Sequence, residues 1–88
     1  MIWEPFASRS NAQPVKAIRY CGTFDQIKDL QELGLDIEFN GTATEMIHVH
    51  SSTKSFVCRV GDVFVKIGKL ITVMDKQRFS QLYKKKFI

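Results

Sequence analysis

Apolar and polar residues alternate along most of the chain, and this two-residue period is typical of strands with one buried face. Leu35, Ile37 and Phe39, for example, alternate with acidic residues. Glycine or serine turns separate these stretches, and Asn40-Gly41 is the clearest hairpin signal. The pattern predicts strands over residues 14–20, 35–39, 45–50, 55–60, 63–67 and 70–74.

A second pattern, with apolar residues three positions apart, predicts a helix after the first strand. Thr23 has the position of an N-cap. Gln26, three residues later, completes a capping box in which its side chain reaches back to the Thr23 amide. Gly34 is suited to the C′ position because glycine adopts a positive φ without strain. The predicted apolar face of this helix is Phe24, Ile27, Leu30 and Leu33.

The helical period returns near the C-terminus, where Asp75 is the predicted N-cap of a second helix. The predicted apolar face of this helix is Phe79, Leu82 and Tyr83, with Phe87 one turn further on. In this interpretation three consecutive lysines, Lys84, Lys85 and Lys86, lie at the helix C-terminus, where the helix macrodipole favours positive charge.

Residues 1–13 show neither period, so we predict an N-terminal arm there and a single domain over residues 14–88. We expect Trp3 and Phe6 to fold back onto that domain, with contact to a partner or a second subunit as the alternative. The elements follow in the order β-α-β-β-β-β-β-α. This order predicts an α+β fold in which a small antiparallel meander, bent or barrel-like, has two short helices against one of its faces.

Length and composition are those of one small domain. The 88 residues suffice for a core but not also for a deep pocket. No apolar run approaches the roughly 20 residues that cross a bilayer, and the N-terminus lacks a signal-peptide pattern. We therefore expect a cytoplasmic protein without membrane contact. Cys21 and Cys58 are expected to be two buried thiols, and a disulfide between them is the alternative.

Charge is distributed unevenly along the chain. Residues 1–53 carry four basic and seven acidic residues, a balance of −3. Residues 54–88 carry nine basic and two acidic residues, a balance of +7. We expect the basic half to attract an acidic partner.

Candidate catalytic and metal-binding residues are few. His48 and His50 share one face of a strand, which suits a metal, but alternation places Cys58 with the apolar residues instead. We expect no metal site and two histidines that face solvent or a partner. Asp62 beside Gly61 is expected to be a turn residue that accepts backbone amides. Since no hydrolase or phosphate-loop motif occurs, we expect no enzymatic activity and no cofactor.

Nucleic-acid binding is an alternative that the basic half leaves open. Lysines neutralise phosphates and exposed aromatic rings stack on bases, and the basic half also contains Phe56, Phe64 and Tyr83. Two observations oppose this function. The three aromatic residues have core-facing spacing, and we expect Arg59 and Lys66 to be isolated on their strand faces instead of aligned in a stripe.

Four segments carry a resemblance to a known family. They are PVKAI at 14–18, the capped helix from Thr23, VGDVFVK at 60–66 and FSQLY at 79–83. In this order and spacing they resemble the small phage and prophage family named after its PGDYG turn, over roughly residues 14–84. The chain departs from that family where Val60 stands for proline and where Phe64 and Val65 stand for tyrosine and glycine. The arm over residues 1–13 is also longer.

The resemblance implies an accessory protein expressed in the cytoplasm of an infected bacterium, with no established enzymatic activity. Such proteins often bind a host enzyme or a defence component. The leading hypothesis is therefore a non-enzymatic protein that inhibits or redirects a host protein. A sequence-independent nucleic-acid-binding protein and an oligomer that sequesters a small anionic nucleotide are the alternatives.

Two surfaces are the candidates for partner binding. One is the basic C-terminal helix and the other is the strand face that carries the histidines. The candidate residues are Arg78, Lys84, Lys85, Lys86, His48 and His50. An exposed edge strand would also allow two copies of the chain to pair into a homo-oligomer.

Overall fold

Eight strands and two helices make up the described residues, 2–86, of the computed structural model. In chain order they are β1 (Glu4–Ser8), β2 (Pro14–Arg19), α1 (Phe24–Glu32), β3 (Asp36–Asn40), β4 (Ala43–His50), β5 (Ser55–Arg59), β6 (Val63–Ile67), β7 (Leu70–Met74), α2 (Lys76–Leu82) and β8 (Tyr83–Lys85). The predicted α+β class is confirmed. Phe87, predicted to extend the apolar face of the second helix, lies outside the described residues.

The strands divide between two antiparallel sheets, and the sheets are not closed into a barrel. The five-stranded sheet has the order β7-β6-β2-β1-β8, and the three-stranded sheet has the order β3-β4-β5. The chain passes from one sheet to the other through a tight turn in which Gly61 has a φ of 99°. Asp62 Oδ2 accepts a hydrogen bond from Arg59 N–H at 2.9 Å, which confirms the predicted turn role of this carboxylate.

Hydrogen bonds at both ends fix the first helix. Thr23 Oγ1 accepts from Gln26 N–H at 3.2 Å, so the predicted N-cap is confirmed, and Gly34 has the expected positive φ of 93°. The predicted capping box is wrong for the Gln26 side chain. This side chain is buried and joins the end of β2 instead: Oε1 accepts from Cys21 N–H at 2.7 Å, and Nε2 donates to the Arg19 carbonyl oxygen at 2.8 Å.

Two apolar clusters hold the elements together, one on each face of the five-stranded sheet. The first includes residues of α1 and the second a residue of α2, so the prediction that both helices lie against one face is wrong. The first joins this sheet to α1 and the three-stranded sheet and contains Tyr20, Ile27, Leu30, Leu35, Ile37, Ile47, Val49, Cys58 and Phe64. The second contains Val15, Ala17, Val63, Val65 and Phe79 of α2. Phe24 and Leu33, predicted to face the core, are exposed, and the buried residues of α1 are Gln26, Ile27 and Leu30.

Residues 4–8 form an inner strand, so the prediction of an arm without regular structure is wrong there. β1 pairs with β2 on one side and with β8 on the other. The sequence does not indicate this strand, because the segment contains Pro5 and proline is rare inside sheets. Its carbonyl oxygen accepts from Lys86 N–H at 3.2 Å. The side of Pro5 that lacks an N–H therefore faces the end of β8 and leaves the β1–β2 ladder intact.

Both aromatic residues of the N-terminal segment fold back onto the domain, as expected. Trp3 packs against the first apolar cluster. Phe6 packs against the second cluster and meets Phe79 edge to face, with 4.8 Å between the ring centres. These contacts join the N-terminal segment to both apolar clusters.

The second helix begins as predicted and ends earlier than predicted. Asp75 Oδ1 accepts from Arg78 N–H at 2.8 Å, which confirms the N-cap. The helix ends at Leu82, and residues 83–85 extend as β8, so the prediction that Lys84 to Lys86 lie at a helix C-terminus is wrong. Pairing with β1 satisfies the backbone groups of this segment, and Tyr83 stacks on Phe79 with 5.4 Å between ring centres.

Tyr20 links the end of β2 to the three-stranded sheet. Its buried hydroxyl donates a hydrogen bond to the Thr44 carbonyl oxygen. Burial raises the pKa of Tyr20 to about 12, and the nearby charges of Cys58 and Glu45 act in the same direction. Burial also raises the pKa of the Cys58 thiol to about 12, with a further contribution from Asp62.

The two cysteines have different environments. Cys58 is buried in the first cluster, as predicted, whereas Cys21 is exposed just after β2, so the prediction of two buried thiols is wrong for Cys21. Both are free thiols. No helix within residues 2–86 is long and apolar enough to span a membrane.

Candidate functional site

Strand pairing aligns three lysines in one row across the five-stranded sheet. Lys66 of β6 is the direct partner of Lys16 of β2, and Lys16 is the partner of Pro5 of β1. Lys86, directly after β8, donates its backbone N–H to the Pro5 carbonyl oxygen. Directly opposed residues share a face of a sheet, so the three lysine side chains lie on one face.

The three lysines at the C-terminal end divide between the two faces because successive residues of a strand point in opposite directions. Lys84 is the partner of Ala7 and lies on the same face as Lys86. Lys85 lies on the opposite face, where its Nζ is 3.7 Å from Glu4 Oε2. We call Lys16, Lys66, Lys84 and Lys86 the lysine face.

The lysine face is positive without local compensation. Within the strands of the five-stranded sheet, Glu4 is the single carboxylate, and it lies on the opposite face. Among residues 2–86, no carboxylate lies within ion-pair distance of these four lysines. Neighbouring strands are about 4.8 Å apart, so the row from Lys66 to Lys86 spans roughly 14 Å. Four ammonium groups are thus concentrated on a small surface.

An open groove and a tryptophan ring border these charges. The groove has a volume of about 460 Å³, and its lining includes Pro5, Pro14 and Gly68 together with three of the lysines. Lys66 Nζ lies over the Trp3 ring, 5.9 Å from the ring centre, which is within cation–π distance. The surface thus combines flexible lysine side chains, an open groove that is partly apolar and one tryptophan ring.

Lys66 is therefore not isolated on its strand face, and that expectation is wrong. The pairing of β2 with β6 places Lys16 beside it, although fifty positions of sequence separate the two residues. Within any one segment the row is represented by a single lysine, so no local pattern indicates it. The alternation of Lys84, Lys85 and Lys86 would have divided the three lysines correctly had the segment been predicted as a strand.

Arg78 does not join the lysine face. It lies in α2, which packs on the opposite face of the five-stranded sheet through Phe79. There it borders a separate groove together with Arg59 and Asp62. Of the predicted basic residues, the structure thus brings together Lys84 and Lys86 and places Arg78 and Lys85 elsewhere.

His48 and His50 lie on the outer face of the three-stranded sheet, as predicted. His50 Nδ1 lies 2.8 Å from Ser55 Oγ at hydrogen-bond geometry. His50 Nε2 lies 3.1 Å from Glu38 Oε1 without the alignment of a hydrogen bond. His48 lines an open groove of about 530 Å³ with Glu38 and Met46.

Ser55, His50 and Glu38 have the residue types of a hydrolytic triad, which a motif search in the sequence could not find because β3, β4 and β5 each supply one member. Catalysis also needs a site that holds the substrate against the nucleophile. The groove on this face is lined by Glu38 and His48 and does not reach Ser55. Within residues 2–86, no group of three His, Cys, Asp or Glu residues is arranged to hold a metal ion.

No family model matches this chain, and no curated protein or solved structure matches it either. The function of the lysine face must therefore be inferred from its own chemistry. Ammonium groups on flexible stems act as point charges that contact phosphate or carboxylate groups without a fixed geometry. The face is suited to a partner with a regular series of negative charges.

Proposed function

We propose that this protein is a non-enzymatic binding protein that holds nucleic acid through the lysine face, without regard to base sequence. The observation that carries the proposal is the concentration of Lys16, Lys66, Lys84 and Lys86 on one sheet face that has no carboxylate. Lysines that neutralise phosphates release condensed counterions, and this release drives sequence-independent binding. Contacts to phosphate carry no information about the bases.

The biological setting that we propose is the cytoplasm of a bacterium infected by a phage. The resemblance of residues 14–84 to the phage and prophage family supports this setting. In that setting the protein would cover or compete for nucleic acid that host enzymes also need.

The test is the salt dependence of binding to a labelled single-stranded DNA, measured by fluorescence anisotropy between about 50 and 200 mM salt. Each phosphate contact on single-stranded nucleic acid contributes a slope of about −0.7 to a plot of log K against log salt. Four lysines predict a slope of about −3. Lys84→Ala is expected to weaken binding and to make the slope shallower by about 0.7.

Lys85→Ala is the matched control, because it removes the same charge from the adjacent residue on the opposite face. It is expected to leave the affinity and the slope unchanged. Equal effects of the two variants would show that only the net charge matters and would overturn the proposal. Absence of binding at the lowest salt concentration would overturn it as well.

The second candidate function is the binding of a host protein, which is the leading hypothesis from the sequence. One observation favours it: on the outer face of the three-stranded sheet, Met46 and Val57 are 43% and 45% exposed on either side of His48. Neighbouring exposed apolar side chains mark interaction sites, and methionine is enriched in protein interfaces. The proposed role on this surface is inhibition or redirection of a host bacterial protein.

The two candidates can be separated with tagged protein in a nuclease-treated bacterial lysate. A host protein that binds through the three-stranded sheet should be lost with Val57→Asp and kept with Lys84→Ala. The reverse result, or loss of all bound material after nuclease treatment, would reject the protein target and favour nucleic acid.

A further inference from the structure

We propose that the nucleic acid is single-stranded, and that a base stacks on Trp3 when the Lys66 ammonium group moves from the Trp3 ring to a phosphate. This inference depends on the proposed function. It adds the class of nucleic acid and a residue, Trp3, that would distinguish a polynucleotide from other polyanions.

The position of Trp3 is the first argument. It lies two residues before Pro5, so it shares the face of the sheet on which Pro5 belongs to the lysine row. The Trp3 side chain is half-buried, because part of it packs against the first apolar cluster. This packing fixes the ring beside the lysines.

The contact with Lys66 is the second argument. Lys66 Nζ lies 5.9 Å from the centre of the Trp3 ring, and no carboxylate within residues 2–86 competes for this ammonium group. A phosphate offers the ammonium group a full negative charge, which attracts it more strongly than the face of an aromatic ring. When Lys66 turns to a phosphate, the ring surface that it covers becomes accessible to a base.

The accessibility of the bases decides the class of nucleic acid. In a duplex, the flat surfaces of the bases are stacked on one another and cannot reach a ring on a shallow sheet face. In a single strand, successive bases are free to stack on aromatic side chains while the backbone follows basic groups. The lysine row crosses the sheet perpendicular to its strands, and the Trp3 ring lies beside it, so backbone and base have separate places on one face.

Trp3 is the only tryptophan in the chain, so its fluorescence reports this contact directly. The experiment titrates the whole protein with a short oligothymidylate, with a duplex of the same length and with inorganic polyphosphate, which has the charges but no bases. We expect the oligothymidylate to quench the fluorescence. We expect polyphosphate to bind, as measured by competition for labelled DNA, with little quenching.

Variants at Trp3 test whether the ring contributes to affinity. Trp3→Leu keeps an apolar group against the core and is expected to weaken oligothymidylate binding about fivefold or more, since a stacked base contributes at least that factor. Its affinity for polyphosphate should not change. Trp3→Phe restores an aromatic ring and should recover much of the lost affinity, whereas a merely structural role of Trp3 would affect both polyanions equally.

The outcomes separate this inference from the proposed function. Binding of oligothymidylate without quenching, or equal quenching by polyphosphate, would overturn the stacking of a base while leaving nucleic-acid binding intact. A duplex that binds as tightly as the single strand would overturn the single-stranded class. Failure of all three polyanions to bind would overturn the proposed function together with this inference.

Discussion

Lys16 and Lys66 are directly opposed on β2 and β6, so two like charges lie side by side on an open sheet surface. Like charges in this position destabilise a sheet, and the nearest residues on the same face provide no carboxylate to offset the repulsion. Lys16 is exposed, and the half-buried Lys66 makes its contact with the Trp3 ring and not with an acidic residue. Binding of a polyanion at this site would explain why the protein has a concentration of charge that reduces its stability.

We therefore expect Lys16→Gln to stabilise the protein. Removal of the repulsion should raise the free energy of unfolding by about 0.2–1 kcal/mol at low salt, and the gain should shrink at high salt as screening weakens the repulsion. Urea unfolding at two salt concentrations measures this. The control is Lys85→Gln, which loses a contact to Glu4 and should not gain stability. Equal stability of wild type and Lys16→Gln at low salt would contradict the prediction.

Gly22→Ala should destabilise the protein more than Gly34→Ala does. Both glycines have a positive φ, 78° and 93°, so alanine is strained at either position. At Gly22 the added Cβ would also lie 2.8 Å from Val60 Cγ2, whereas at Gly34 it would meet no atom within 4 Å. The difference between the two variants measures the steric part of the cost.

The double variant Gly22→Ala with Val60→Ala checks that explanation, since it removes the clash and keeps the strained backbone. Its stability should rise from that of Gly22→Ala to the level of Gly34→Ala, once the small effect of Val60→Ala alone is subtracted. If the double variant is as unstable as Gly22→Ala, the contact with Val60 is not the cause.

Stability should decrease at alkaline pH. The pKa values of Cys58 and Tyr20 in the folded protein rise from 9.0 and 10.0 to about 12, so the folded state keeps protons that the unfolded state has lost. The stabilisation is complete below pH 9 and is lost as the pH rises towards about 12. Unfolding by urea across this range should show a steady loss.

Tyr20→Phe separates the two contributions to this loss. This variant removes the loss of stability that develops above pH 10 and leaves the loss of stability that is due to Cys58. At neutral pH the variant should be less stable by about 1–2 kcal/mol, because the Thr44 carbonyl oxygen loses its buried donor. A decline in stability as steep as that of the wild type would show that Tyr20 is not the titrating group.

The thiols should react in two steps with a disulfide reagent. Cys21 is exposed and should react in the folded protein, whereas Cys58 is buried and should react only after unfolding. One equivalent is thus expected under native conditions and two in denaturant. Cys21→Ser should abolish the native reaction, and a native reaction that persists in this variant would place Cys58 within reach of solvent.

The features that the sequence predicted correctly are those with local causes. The N-caps Thr23 and Asp75 and the Gly61-Asp62 turn each depend on residues within three positions of one another, and all three are confirmed. The outward position of His48 and His50 follows from alternation within one strand.

The features that it missed depend on pairing between distant segments. β1 carries no clear period because Pro5 interrupts it, and it is a strand because β2 and β8 lie on either side of it. Tyr83 leaves the helix for the same reason, since the edge of β1 offers its backbone new partners. The lysine face depends on the pairing of β2 with β6 and on the pairing of β8 with β1. Neither the residues at 14–20 nor those at 60–66 therefore indicate it alone.

The position of β1 between β2 and β8 has a consequence for synthesis of the protein on the ribosome. β1 is synthesised before both of its partner strands, and its outer edge has no partner until Tyr83–Lys85 are available. An unpaired strand edge readily recruits other chains. Until β8 pairs with it, the outer edge of β1 is open to another chain, and the lysine face gains the charge of Lys84 only when β8 joins the sheet.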